Sequence, residues 1–216
     1  QVSNVATFAR NFGRQTEIYN GADISFSTTI HRATISGGWN VGNALQTGTT
    51  AGGTSSASTN SCFVVDSPQQ LYQCKVDVPY QNRFKVNGSY QLPWDLQVAG
   101  VFQTNPGPNY NANATFTTAQ VANSLGRPLA GGVRTVTVNL VTPFSQFGPR
   151  ITQFDFRASK IVKLGGSRKL QANIDLYNVF NGSSVVNFNS TYGPLWLQPT
   201  QILDARLLKF SAQIDF

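Results

Sequence analysis

The last eleven residues of the chain, 206–216, alternate between apolar and polar side chains, a pattern that indicates a β-strand with two unlike faces. The apolar positions are Leu208, Phe210, Ala212, Ile214 and Phe216, and the polar positions between them are Lys209, Ser211, Gln213 and Asp215. Successive side chains of a strand point to opposite faces, so the first set forms one apolar face and the second one polar face. A helix would scatter the same residues around its axis, and only Leu207 departs from the alternation.

The same alternation recurs upstream, and the sequence therefore predicts seven strands. The six further segments are 22–27, 34–41, 83–90, 96–103, 154–159 and 170–177. In each segment every second residue is apolar or glycine, and most residues between them are Asn, Gln, Ser, Thr or charged. Strands of this kind favour an antiparallel meander with one apolar and one polar face.

The predicted connections fall into two length classes that take turns along the chain. Short turns are expected at 30–33, 92–95 and 165–168, where Pro and Gly punctuate two of the three. The long connections cover about 43–78, 104–148 and 181–203, and each is rich in Asn, Gly, Ser, Thr and Pro. Loops longer than about 15 residues are uncommon in compact domains. Because they occur at every second connection, we expect all of them at one end of the sheet.

This combination of features predicts a transmembrane β-barrel, an all-β fold with short turns on one side and long extracellular loops on the other. Charged residues make up 12% of the chain, against about 25% in typical soluble domains. No apolar run approaches the roughly 18 residues that a helical span needs. In lipid every backbone polar group must pair with a neighbouring strand, and a closed sheet achieves this.

In such a barrel the polar face lines the lumen and the apolar face contacts lipid. The polar residues that we expect to face the lumen are Asp23, Arg83, Lys85, Asp155, Arg157, Asp175, Lys209 and Asp215. Aromatic residues near the predicted strand ends, where interfacial girdles would need them, are Tyr80, Trp94, Tyr177 and Phe180.

An odd number of strands predicts an unfinished barrel, since bacterial single-chain barrels have an even number. We therefore expect residues 1–216 to be a single C-terminal segment of an outer-membrane barrel domain. An eighth strand within residues 1–10 would be weak, because Ser3, Asn4 and Arg10 interrupt its pattern.

Two cysteines, Cys62 and Cys74, bracket a short segment inside the first long connection. No His or further Cys lies nearby to complete a zinc site. A disulfide closing this loop is the favoured interpretation, and it implies an oxidising compartment. Two free thiols remain the alternative.

Three motifs in the last third of the chain resemble those of TonB-dependent receptors of the outer membrane. They are FDFRASK at 154–160, NIDLYNVFN at 173–181 and the closing FSAQIDF at 210–216. Other features resemble the Oar-like branch, whose members often carry a carboxypeptidase-regulatory-like domain. These features are TYGP at 191–194, LQPT at 197–200, LPWD at 92–95 and the Cys62–Cys74 loop with its Asp66-Ser67-Pro68 segment.

The resemblance implies a barrel of about 22 strands, of which this chain would supply roughly the last third. It also implies a plug domain and a TonB box in an N-terminal part, so that TonB would be reached only through that part. The terminal strand, with Phe210, Ile214 and Phe216, resembles the signal that the barrel-assembly machinery recognises. The expected partners are therefore outer-membrane lipid, lipopolysaccharide, this machinery and a transported substrate that the sequence does not identify.

The sequence contains no motif that favours an enzyme, a cofactor or a metal. The one histidine, His31, lies in a predicted short turn, and a catalytic pair would need a further group to orient it. The carboxylates are spread over different strands with no Asp-x-Asp cluster for calcium, and no glycine-rich phosphate loop occurs. The net charge of +7 comes from scattered basic residues. We therefore expect no nucleic-acid partner.

Two other classes of protein remain open. A small self-contained outer-membrane barrel would act as an adhesin or a structural anchor. A soluble all-β binding module would bury its apolar face against a second sheet.

Overall fold

A computed structural model describes residues 19–43, 78–166 and 168–216 of the chain. The described residues form eleven strands and one α-helix. In chain order these are β1 (Gly21–Ile30), β2 (Ala33–Gly42), β3 (Gln81–Leu92), β4 (Leu96–Asn105), β5 (Asn113–Thr117), α1 (Thr118–Leu125), β6 (Thr135–Asn139), β7 (Ile151–Gly165), β8 (Arg168–Tyr177), β9 (Val185–Phe188), β10 (Pro199–Ile202) and β11 (Leu207–Asp215).

Seven of the strands build one antiparallel sheet, which confirms the prediction of an all-β fold with seven main strands. Their order in the sheet is β1-β2-β3-β4-β7-β8-β11, and every neighbouring pair is antiparallel. The sheet is open, because among the described residues the outer edges of β1 and β11 have no neighbouring strand. It therefore forms a meander whose two interruptions are the elements inserted after β4 and β8.

The register of the sheet separates its side chains into an apolar face and a polar face. One row of the apolar face joins Phe26, Gly37, Val86, Phe102 and Phe154 across five strands. One row of the polar face joins Ala99, Arg157, Asp175 and Lys209. The alternation seen in each segment of the sequence thus runs continuously from strand to strand, since paired residues point to the same face.

The three short turns lie at one end of the sheet, at the positions that the sequence predicts. His31 and Arg32 connect β1 to β2, residues 93–95 connect β3 to β4, and Gly166 lies between β7 and β8. His31, Trp94 and Asp95 have positive φ angles of 54°, 61° and 55°. Tight turns commonly need such backbone conformations.

The three turns lie at different positions along the direction of the strands. Ile30, the last residue before the first turn, shares its row with Tyr90 of β3 and Ala158 of β7. The second turn begins after Leu92, two residues beyond Tyr90, and the third after Gly165, seven residues beyond Ala158. At the opposite end of the sheet, the strand ends shift in the same direction from Gly42 to Tyr177.

Two of the long connections carry regular structure of their own, which the sequence analysis did not anticipate. Residues 106–150 contain the β5–β6 hairpin with α1 between its strands, and residues 178–206 contain the β9–β10 hairpin. Together we call these two segments the loop cap. The helix α1 begins with a capping box, in which the Thr117 hydroxyl accepts from the Gln120 amide and the Gln120 side chain accepts from the Thr117 amide. It ends at Gly126, whose φ of 66° suits glycine.

Burial in the sheet is inverted relative to a soluble domain. Large apolar side chains are exposed, for example Phe210 at 70% and Ile24 at 57%. The buried side chains of the sheet are polar and belong to the opposite face, namely Ser159 at 3%, Asn173 at 8% and Asp175 at 3%. Among the described residues the buried apolar side chains are Ala112 and Ala114, and both belong to the loop cap. The sheet therefore has no apolar core within the described part of the chain.

Candidate functional site

All eight charged residues that the sequence assigns to a lumen share the polar face of the sheet. The register connects Asp23 with Arg83 through Asn40, and Arg157 with Lys209 through Asp175. Lys85, Asp155 and Asp215 lie on the same face because they are separated from these rows by even numbers of residues along their strands. The side chains do not form one cluster, since two groups lie on opposite halves of the face.

The group on β7 and β8 is held by an ion pair and hydrogen bonds. The Arg157 guanidinium donates to both carboxylate oxygens of Asp175, and the Nη2–Oδ2 distance is 3.1 Å. Asp155 accepts from the side chain of Gln153 at 2.9 and 3.0 Å and from the backbone amide of Asn178 at 2.8 Å. These carboxylates therefore have partners within the fold, and their role in this geometry is structural.

The last two members of the predicted set lie on the edge strand β11. Asp215 accepts from Gln213 at 2.9 Å. Lys209 pairs with Asp175 in the register, but the carboxylate of Asp175 is taken by Arg157, and Lys209 has no hydrogen bond or ion pair to a described residue. It is an exposed cation at the edge of the polar face.

The group on β1 and β3 has a different character. Asp23 accepts from the side-chain amide of Asn40. Arg83 and Lys85 are exposed, and neither makes a hydrogen bond or ion pair with any residue that the structure describes. Two adjacent cations of the polar face are thus free to meet a solute.

A buried asparagine that the sequence analysis did not select connects this face to the loop cap. The Asn178 side chain donates to the carbonyl oxygens of Gly182 and Asp204, both at 2.8 Å, and accepts from the Gly182 amide at 2.9 Å. Its φ of 49° turns the chain out of β8. The signal available in the sequence was the pair Asn178 and Asn181, because asparagine tolerates the left-handed conformation better than most residues.

The two segments of the loop cap are joined to each other by backbone hydrogen bonds. The Asn113 amide donates to the Ser190 carbonyl at 2.7 Å, and the Tyr192 amide donates to the Asn113 carbonyl at 3.0 Å. The Trp196 indole donates to the Asn111 carbonyl at 2.9 Å. The rings of Tyr110 and Phe188 meet edge to face at 5.0 Å. The loop cap is therefore one folded unit over the described residues.

A crevice of about 400 Å³ opens where the polar face meets the loop cap. Its floor includes Asn40, Arg83 and Asn105 of the polar face, and its roof includes Phe144 and Phe147 of the loop cap. A second hollow of about 250 Å³ lies beside Arg83 and Lys85. It exists partly because Gly38, which has no side chain, is the register partner of Lys85.

The packing beside the crevice depends on a glycine. A Cβ at Gly107 would overlap the carbonyl oxygens of Gly148 and Pro149. The Gly148 amide donates to the Pro108 carbonyl at 2.8 Å, which holds the two ends of this loop segment together.

The residues predicted as an assembly signal, Phe210, Ile214 and Phe216, lie on the apolar side of the edge strand, and Phe216 is 92% exposed. Cys62 and Cys74 lie outside the described residues, so the predicted disulfide stays a prediction. His31 lies in the turn between β1 and β2. Within the described ranges, no three His, Cys, Asp or Glu residues come together as a metal site.

No helix in the described part of the chain is both long and apolar enough to cross a bilayer. No model of a known protein family matches the sequence, and no curated protein matches it either.

Proposed function

We propose that the chain forms part of the wall of a transmembrane β-barrel in the outer membrane, in a transporter similar to the TonB-dependent receptors. The observation that carries the proposal is the inverted burial of the sheet. Large apolar side chains cover its exposed face, whereas its buried side chains, Asp175 and Asn173 among them, are polar. Lipid is the solvent in which such an apolar face is stable, and a water-filled interior is the solvent for the polar face.

The size of the apolar face supports lipid rather than a small partner. Six spacings of about 4.8 Å separate the outermost strands, and ten residues of a strand extend about 33 Å, so the face covers on the order of 900 Å². The largest apolar patch on a typical soluble monomer is about 300–600 Å². A second sheet could cover such a face in a soluble module, but the described residues outside the seven-stranded sheet form the loop cap at its end.

The two ends of the sheet support an orientation in the membrane. Outer-membrane barrels have short periplasmic turns and longer extracellular loops. The turns at His31, Trp94 and Gly166 would therefore face the periplasm, and the loop cap would face the outside of the cell. Trp94, which is strongly exposed at its turn, would lie at the periplasmic interface, where aromatic residues are enriched.

The open edges require further strands if the sheet is to stand in lipid. The edges of β1 and β11 present unpaired backbone groups, each of which would cost several kcal/mol in a bilayer. A larger barrel, as the resemblance to TonB-dependent receptors implies, would supply neighbours for both strands. In this proposal the polar face lines the passage through which a substrate is taken up or exported.

The proposal is tested by the location and size of the native protein. An antibody raised against a peptide of residues 62–74 would be used to probe inner-membrane, outer-membrane and soluble fractions of the source cells, with boiled and unboiled samples compared. We expect a band in the outer membrane that is much larger than a 216-residue chain and migrates differently before boiling. An outer-membrane band at the size of 216 residues would replace the transporter by a small anchor or adhesin. A soluble band that boiling does not shift would overturn the membrane proposal.

The role of the terminal strand in assembly has its own test. Replacing Phe216 by Ser removes the exposed terminal aromatic and leaves the pairing of β11 with β8 in place. We expect the variant to reach the outer membrane in much smaller amounts than the parent chain, measured by blotting of outer-membrane fractions. Normal amounts would contradict the assembly role, and Phe216→Tyr serves as the matched control that keeps an aromatic ring.

A further inference from the structure

We propose that Arg83 and Lys85 form a binding site for a small anionic solute, bearing carboxylate or phosphate groups, at the loop-cap end of the polar face. The inference rests on the proposed function, because it names the class of substrate that the polar face would conduct. Its basis is a difference in the partners of the cations on that face.

Arg83 and Lys85 have no structural task in the fold. Arg157 on the same face is committed to Asp175, and Lys163 lies 3.2 Å from a carboxylate oxygen of Asp95. Arg83 and Lys85 lack any such partner among the described residues, although each is a long side chain on a strand with neighbours on both sides. Because they are two residues apart on β3, they point to the same face about 7 Å from each other.

The surroundings of Arg83 and Lys85 offer space for a solute and further hydrogen-bond donors. The lining of the hollow beside Arg83 and Lys85 includes Asn40, Gln103, Asn105 and the acidic residue Asp23. Gly38 leaves the hollow open on the β2 side. The larger crevice reaches from Arg83 to the roof formed by the loop cap. An anion lying over Arg83 would therefore be within reach of amide side chains as well as the guanidinium, whose planar fork donates two parallel hydrogen bonds to a carboxylate or a phosphate.

The chain around this site carries more positive than negative charge. From Leu96 to Phe154 the sequence contains no Asp or Glu and three arginines, Arg127, Arg134 and Arg150. One carboxylate of the polar face, that of Asp23, lines the hollow, and it accepts from the side-chain amide of Asn40. The lining of the hollow therefore holds two cations against one carboxylate. An excess of one sign of charge raises the local concentration of solutes of the opposite sign, so the approach from the loop cap favours anions over cations.

The binding test uses the full chain folded in zwitterionic detergent micelles, with radiolabelled citrate and inorganic phosphate as separate probes in equilibrium dialysis. Glucose serves as the neutral probe, and the ionic strength is kept low because salt screens exposed charges. We expect saturable binding of an anion at one site per chain, and no saturable binding of glucose. Absence of saturable binding for both anions would overturn the site.

Substitutions locate the site. Arg83→Gln and Lys85→Gln should each weaken binding by about tenfold, since each removes a charge-assisted hydrogen bond. Arg83→Lys should lose less than Arg83→Gln, because the charge is kept and the planar fork is lost. Lys209→Gln is the matched control, because it removes an unpaired cation from the same face at the far edge of the sheet. Equal weakening by Lys209→Gln would indicate diffuse attraction by net charge and would overturn the site.

The same samples are tested for insertion into phospholipid vesicles, which separates this inference from the proposed function. Insertion without anion binding overturns the site and leaves the barrel. Anion binding without insertion leaves the site, and the fractionation of the native protein then decides the membrane proposal, because a sheet with two open edges needs further strands to stand in lipid.

Discussion

In the loop cap, Ala112 and Ala114 are buried between two segments that are joined by backbone hydrogen bonds. In the sheet, Ile24 and Phe210 point away from the protein, and the buried side chains are Ser159, Asn173 and Asp175. The two regions of one chain thus follow opposite rules of burial. The proposed function accounts for this difference by two environments, water around the loop cap and lipid around the sheet, since apolar burial stabilises only what is otherwise in contact with water.

The strongest test of this difference places the same charge in both regions. Ile174 on the apolar face and Leu125 in α1 are almost equally exposed, at 47% and 45%. If lipid surrounds the sheet, Ile174→Arg should lower the free energy of unfolding in phospholipid vesicles by roughly 2–4 kcal/mol. Leu125→Arg should change it by less than about 0.5 kcal/mol, because water receives the new charge. Equal losses of unfolding free energy for the two variants in a denaturant titration would show that the two regions do not differ in their environment.

A second test concerns the polar interior of the sheet. Asp175→Asn removes the charge that pairs with Arg157 while keeping the size of the side chain. We expect a loss of about 2 kcal/mol in the free energy of unfolding, below the value for a fully buried pair because Arg157 is half-exposed. The matched change Asp215→Asn, at an exposed position of the same face, should cost less than about 0.5 kcal/mol. An Asp175→Asn variant with an unchanged free energy of unfolding would show that the ion pair does not stabilise the sheet.

A third test overpacks the loop cap alone. Ala112 is fully buried, so Ala112→Leu should destabilise the loop cap by about 1–3 kcal/mol. Faster cleavage by a protease between residues 106 and 150 would report this loss, with gel migration of the unboiled chain unchanged. The control Ala119→Leu adds the same atoms at an exposed position of α1. If Ala112→Leu also abolished folding of the sheet, the two regions would be one cooperative unit.

The smallest expected effect is confined to one helix. Thr117→Ala removes the side-chain cap of α1 and should cost about 1 kcal/mol. Faster amide hydrogen exchange within 118–125 would show it, while exchange in β7 and β8 stays the same. Ser124→Ala, in the exposed last turn of α1, should slow exchange slightly, because alanine favours the helix. Exchange that rises across the sheet as well would contradict the local effect.

The sequence was sufficient for the sheet because each strand carries its own two-residue period. In β11 the alternation from Leu208 to Phe216 fixes both the strand and the identity of its faces, and the register then follows from the need to keep apolar residues together. The three short turns also lie at their predicted positions. β7 is longer than predicted, at Ile151–Gly165 against 154–159, because Lys160 lies on the apolar face and interrupts the pattern.

The loop cap was not predictable in the same way. Residues 106–150 have no sustained period of two or 3.6, and α1 is short enough that its main signals are the Thr117–Gln120 capping box and Gly126. Membership of the polar face could be predicted, but the pairing of its charges could not. Asp175 lies between Arg157 and Lys209 in one row, and only the geometry decides that Arg157 takes the carboxylate.

The uneven levels of the three turns have a geometric consequence for the strands. Between the first and third turns the register shifts by six rows, because one of the seven residues of β7 after Ala158 lies in a bulge. Six rows extend about 20 Å along the strands, over four strand spacings of about 19 Å. If the turns lie in one plane, the strands are inclined to the normal of that plane by roughly 45°, at the upper end of the 35–45° tilt of outer-membrane barrels. A ten-residue strand such as β1, inclined by about 45°, spans a layer about 23 Å thick, close to the height of about 25 Å of the apolar band of such barrels. In the proposed barrel, the stagger of the hairpins would match the length of the strands to the thickness of the membrane.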